Sequence, residues 1–264
     1  MNVLDPGLPH HPEPARQAFR RLLLGMADTK RILGIRYSDW LLGAPSIEAG
    51  IAASSMAQDE WGHARLLYAT LKDFGADPEA LEHDRHENAY ASWDPLDEPL
   101  PDWAWVTATM MVVDGGLSVA LEGILEGAYE PLQGRMQKML GEEEFHEALA
   151  EAWFTRLASS QGEGRVHLKS AVEAVLPATL SCLAPGDEAH AVLAEEGLFP
   201  GAEALRSRLA ARLDPSLSHL GMSVPLEVAL DEGWDSTRGR GPGHPGLEAV
   251  ERARGDRNRA LFVE

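Results

Sequence analysis

Cysteine is almost missing from this 264-residue chain, in which Cys182 stands alone. One thiol closes no internal disulfide and builds no multi-cysteine metal site, and its isolation fits a reducing cytoplasm. Basic residues are also scarce, 23 against 42 acidic ones, for a formal net charge of -19. A surface of that sign repels phosphate backbones, so nucleic acid is not an expected partner, whereas a basic protein is. The sequence offers no run of about 18 apolar residues, so no membrane span is expected. Its N-terminus, MNVLDPGLPHHPEP, is polar and proline-broken, unlike a signal peptide. Period-two runs of Val, Ile and Thr between turn signals are lacking too, which leaves little from which to build a sheet.

What the chain does have is helical periodicity. Residues 1–13 read as an extended arm. A first long helix runs from about Pro14 to Leu42, carrying Phe19, Leu22, Leu23, Met26, Ile32, Leu33, Ile35 and Trp40. Gly43 to Pro45 break it, and Ser46 can cap a second helix that stops near Gly75. Residues 76–101 are rich in Pro, Asp and Glu. A third helix spans about Asp102 to Tyr129, and Pro131 opens a fourth that reaches Ser159. Hydrophobic residues make up 44% of the chain, enough to bury a large core. Four helices longer than the globular average predict an all-α, ferritin-like four-helix bundle over residues 14–160. Gly162 and Gly164 read as a linker. Residues 161–264 read as shorter C-terminal helices and a Gly/Pro-rich tail packed on the bundle, with Leu198, Phe199 and Trp234 as exposed interface material.

Two Glu-x-x-His motifs carry the chemistry. Glu60-Trp61-Gly62-His63 falls in the second helix and Glu143-Glu144-Phe145-His146 in the fourth. A spacing of three projects both side chains from one face, so a carboxylate and an imidazole can share an ion. Two such helices, with a carboxylate from each of the other two, make a di-iron or di-manganese carboxylate site. Asp39, near the end of the first helix, is one candidate for the remaining ligands. Asp114 is the other, set in the apolar stretch from Trp103 to Leu121, where a lone carboxylate costs several kcal/mol unless paired or metal-bound. Glu122 and Glu126 are rival third-helix ligands. Glu142 and Glu144 read as solvated, Tyr37 and Tyr68 as packing residues, and Cys182 as a small buried hydrophobe.

These residues resemble those of the ferritin-like large subunits of bacterial phenylacetyl-CoA epoxidase, a family with a catalytic and a structural member. The resemblance covers about residues 20–230. Gln58 to His63, Val113-Asp114-Gly115, Glu142 to His146 and Leu220 to Pro225 are similar to the catalytic subunit. Ile32 to Trp40 and Ala64 to Leu67 are similar to the structural one, which has lost most of its ligands. The resemblance implies two iron ions, or manganese in their place, on Asp39, Glu60, His63, Asp114, Glu143 and His146, with Glu60 and Glu143 at the reacting centre. It implies an oxygenase acting on an aromatic or unsaturated acyl-CoA, working as an oligomer with related subunits and a reductase. Asp39 stands where the family usually has Glu, and Met56 where the catalytic subunit tends to have Lys. Two other readings stand beside this one: a non-catalytic scaffold subunit, and a ferritin-like protein that stores iron or removes peroxide.

Overall fold

The computed structural model describes residues 8–230 and 232–256; residues 1–7 of the expected arm lie outside them. The fold is all-α and ferritin-like, with no strand among the described residues beyond an isolated bridge between Asp235 and Arg240. Two compact units divide the chain, one formed by residues 1–99 and 235–264, the other by residues 100–234. The division therefore falls at 99/100 and 234/235, not at the expected 160/161.

The first unit is built on a hairpin of α1 (Glu13–Ser38) and α2 (Ile47–Thr70). Ser46 caps α2 by accepting from the Ala49 amide, and Gly75 ends the following 3-10 turn in the left-handed region, both as expected. The pairing is antiparallel, because contacts join early α1 to late α2 and the reverse. Asp28 meets Tyr68, Lys30 meets Glu60, and Gly34 lies against Ala57 and Trp61. Gly34 is there because any larger residue would strike Trp61, whose Nε1 lies 2.4 Å from the position a Cβ would take.

A short α3 (Pro78–His83) and a loop with buried Tyr90, Trp93 and Leu96 follow. Arg36 clamps that loop by donating to the Leu96 and Asp97 carbonyls, at 2.8 and 2.7 Å from Nη2. The tail belongs to this unit for an electrostatic reason. Arg240 is fully buried and pairs with both Asp94, at 2.6 Å, and Asp97. The last helix, α10 (Leu247–Arg254), lies against α1, where Arg31 donates to the Ala253 carbonyl.

The second unit contains α4 (Trp103–Ala108), a π-helical turn (Thr109–Asp114) and α5 (Gly115–Glu126), which run on as one rod. That rod is long and apolar enough to cross a membrane, contrary to the expectation that no such stretch exists. Since 89% of its most apolar window is buried inside the protein, it has the character of a core helix. Next come α6 (Gln133–Ala158), α7 (Glu163–Leu183), α8 (Glu188–Glu195) and α9 (Ala202–Leu217). Gly164 lies in the first turn of the 21-residue α7 and does not extend a linker. Leu198 and Phe199 are buried, not exposed: Phe199 fills the space left by the missing side chain of Gly123, and the Leu198 carbonyl sits against Gly127. Trp234 is half-buried and donates to Asp187.

Candidate metal centre

Both Glu-x-x-His motifs sit where a packed helix would otherwise place apolar residues. In α2 the buried positions Ala49, Ala53, Met56, Glu60, His63, Leu67 and Thr70 alternate in steps of four and three, the seam of a coiled-coil-like packing. Glu60 is fully buried and His63 is 1% exposed. In α6 the same alternation runs through Met136, Met139, Glu143, His146 and Ala150, all buried. Phe145, between the motif residues, is 78% exposed, and Glu142 and Glu144 lie off the seam. The motif residues therefore occupy the core line of each helix, and their polar neighbours do not.

Within the second unit, Asp114, Glu143 and His146 converge. Each offers one ligand atom, and these atoms lie within 4.8 Å of one another. His146 Nδ1 is 3.1 Å from Asp114 Oδ2 and 3.4 Å from Glu143 Oε2, and the Ser118 hydroxyl lies 3.4 Å from the same Glu143 oxygen. Asp114 is 1% exposed, and Glu143 and His146 are 3% exposed. The antiparallel packing of α5 on α6 brings them together. The π turn ends on Asp114; it adds a residue to the helix and resets which side chains face α6, a distortion that recurs at functional sites.

The three rival carboxylates of the third helix are thereby separated. Glu122 pairs with Arg212 and Glu126 with Arg208, both on the side of α9, so Asp114 is the one beside the motif. Two carboxylates and an imidazole, buried and mutually within reach, suit a hard or borderline divalent cation. Without one, two enclosed carboxylates repel each other. The donor set therefore fits a metal ion.

The first helix disappoints the expectation for Asp39. That residue is the C-cap of α1, 28% exposed at its side chain, and its carboxylate lies 2.6 Å from Arg252 of α10. The carboxylate of Glu60 instead receives Lys30 Nζ at 2.9 Å, and neither side chain is exposed. Nine residues separate Lys30 from Asp39, two and a half turns, so the two point to opposite sides of the helix. Tyr37 and Tyr68 are fully buried; the Tyr68 hydroxyl donates to Asp28 at 2.6 Å. Burial, and then the Asp28 charge, push the Tyr68 phenol well above its ordinary range, which fits the packing role read from the sequence. Cys182 is buried, as expected.

The model of one protein family, described as "Phenylacetic acid catabolic protein", matches residues 7–241. The chain belongs to that family. One relative, a 1,2-phenylacetyl-CoA epoxidase subunit from Escherichia coli (strain K12), is 24% identical over 217 residues, covering 79% of this chain and 70% of its own length. The match to the family spans both units and all six residues that the sequence singled out as ligands.

Proposed function

We propose that this chain is a metal-dependent oxygenase subunit of acyl-CoA catabolism, with an iron ion, or manganese in its place, held by Asp114, Glu143 and His146. The observation that supports this reading is the enclosed triad itself. A protein that kept these residues only for packing would have little reason to hold two carboxylates and a histidine in an apolar core. In the reading we favour, the enclosed Glu60 and His63 of the first unit are metal-binding residues as well, and Glu60 and Glu143 are the reactive carboxylates of their motifs. A bound ion of this kind would supply dioxygen activation, the difficult part of oxygenating an aromatic or unsaturated acyl-CoA. The chain's own residues orient and enclose. Asp114 Oδ2 lies 3.1 Å from His146 Nδ1, so the two can meet one cation, and Ser118 contacts one Glu143 oxygen. Met110, Met111 and Leu213 line the small cavity beside the triad and limit water there.

Its partners are proposed to be related subunits and a reductase, since the E. coli relative bears the name of one subunit of an epoxidase, and no flavin or iron–sulfur motif is evident in this sequence. The net charge of -19 would steer a basic reductase face toward it, in a salt-sensitive way. The second reading, a structural subunit without turnover, is favoured by one observation: the Lys30–Glu60 pair occupies the place where a first-helix carboxylate is expected.

Anaerobic loading with Fe(II), followed by elemental analysis and by oxygen consumption with phenylacetyl-CoA and a reductase, tests both. Metal uptake with substrate-dependent oxygen use supports the oxygenase. No metal retained, or none needed for assembly with a catalytic partner, supports the structural subunit.

A further inference from the structure

The cavity beside Asp114, Glu143 and His146 does not end at them. Its lining also includes Glu147 of α6 and Arg212 of α9, all within the second unit. The Glu147 side chain is 49% exposed and that of Arg212 20%, whereas Met110, Met111, Ala150 and Leu213, which form the apolar wall, are buried. The cavity thus joins the enclosed triad to the surface of its own unit. Its volume is about 10 Å³, roughly the room that one water molecule needs. A divalent ion with its hydration shell is larger than that, so it reaches the triad by this path only if a lining side chain moves.

Arg212 is placed to be that side chain. Its Cδ lies 3.8 Å from the position a Cβ of Gly115 would take, one residue after Asp114, so its stem covers the cavity there. Its guanidinium is held on Glu122 and, at 3.3 Å, on Glu147, both partly in solvent. Ion pairs open to water contribute little and break readily. The same guanidinium is a positive charge in the path of an arriving cation, which it repels until it swings aside.

We propose that Arg212 is the gate of the triad: held by Glu122 and Glu147 it closes the passage, and released from them it opens a path by which a divalent cation enters and leaves. The inference rests on the metal-binding reading above and adds the route. A natural comparison lies one turn earlier on α9. Arg208 pairs with Glu126 at 2.6 Å, a contact of the same kind, but it is not among the residues that line the cavity.

The test is a pair of rates. Metal-free, full-length protein is mixed with Mn(II), and uptake is followed by loss of the free-ion signal in electron paramagnetic resonance. Release is followed by return of the ion to excess EDTA. Arg212→Ala is expected to speed both by about tenfold or more, because it takes a unit charge out of the path of a divalent ion. The number of ions bound should stay the same, and the affinity should change far less than the rates. Arg208→Ala is expected to keep the parental rates. Unchanged rates in Arg212→Ala would overturn the inference and leave the metal-binding reading intact. An equal acceleration in Arg208→Ala would do the same, since it marks a general loosening of α9. No ion bound by the unaltered chain would overturn both. If Arg212→Ala does not fold, Glu122→Gln carries the test, because it frees Arg212 on one side without altering the cavity lining. Faster exchange in that variant supports the gate, and parental rates overturn it.

Discussion

Replacing Arg85 by Met is expected to destabilise the first unit by about 4–5 kcal/mol. Asp28 has no exposure at all, and four donor atoms from three residues converge on it. The Tyr68 hydroxyl donates at 2.6 Å, the Ala91 amide at 2.7 Å and Arg85 Nη1 at 2.8 Å, with Arg85 Nη2 also in contact. Burial works against the guanidinium charge of Arg85, and the Asp28 carboxylate more than offsets it, holding the pKa above its usual value. The guanidinium also sits 4.4 Å from the Tyr90 ring centre. Removing one partner of a buried ion pair costs roughly 3–5 kcal/mol. Two neutral donors stay on Asp28, which argues for the lower half of that range. Losing the contact with the Tyr90 ring adds about 1 kcal/mol.

Urea unfolding followed by circular dichroism measures the effect, with an unchanged slope showing that the unfolded state is comparable. A second arm separates the pair from its packing. Asp28→Leu with Arg85→Met removes both charges, and the double variant is expected to be more stable than Arg85→Met alone. A single variant within about 1 kcal/mol of the parent, or a double variant that adds a further full loss, would refute the reasoning.

Glu143→Ala is expected to abolish metal uptake while leaving the metal-free melting temperature unchanged or higher, because it relieves repulsion with Asp114. A large fall in that temperature would instead show a structural network. Gly34→Ala should cost about 1–3 kcal/mol by driving a methyl into Trp61, and pairing it with Trp61→Phe should recover part of the loss; a neutral Gly34→Ala would count against the close packing of α1 on α2. At high pH, burial holds the Tyr68 and Tyr90 phenols above their ordinary value, Tyr90 up to about 12. The unfolded chain then loses these protons first, so their contribution is complete below about pH 10 and is lost as pH rises through the folded values. Urea midpoints alongside phenolate absorbance across that window check this, and two tyrosines ionising near pH 10 in the folded protein would contradict it.

Much of this architecture was legible because local chemistry and packing agree. Ser46 and Gly75 end their elements as their types suggest, and the long helices follow their apolar lines. The paired Glu-x-x-His motifs stood out because a charged pair in an otherwise apolar helical line is costly without a purpose. The choice among Asp114, Glu122 and Glu126 was not legible. It depends on Arg208 and Arg212, more than eighty residues away in α9, which claim the two glutamates. The π turn was hidden as well, since Thr109 to Asp114 read as ordinary helix by composition. The tail followed neither propensity nor period: Arg240 holds it through Asp94 and Asp97, a contact between segments over 140 residues apart.

The first-helix position shows most clearly where the reading by residue type fails. Asp39 is a carboxylate near the end of the first helix, yet its phase is wrong. Counting from Phe19 in steps of four and three reaches Lys30 and then Tyr37, and never lands on Asp39. A lysine at that place looks like a surface residue, because lysine is rarely enclosed unless paired. Only its register with Leu23, Met26 and Leu33 signals that it points inward, and only the matching register of Glu60 in α2 supplies its counter-charge. A core position is fixed by helical phase, and the side chain found there then sets the chemistry. In α1 that chemistry is an amino group paired with Glu60, where a metal-ligating carboxylate would have left a demand for a cation.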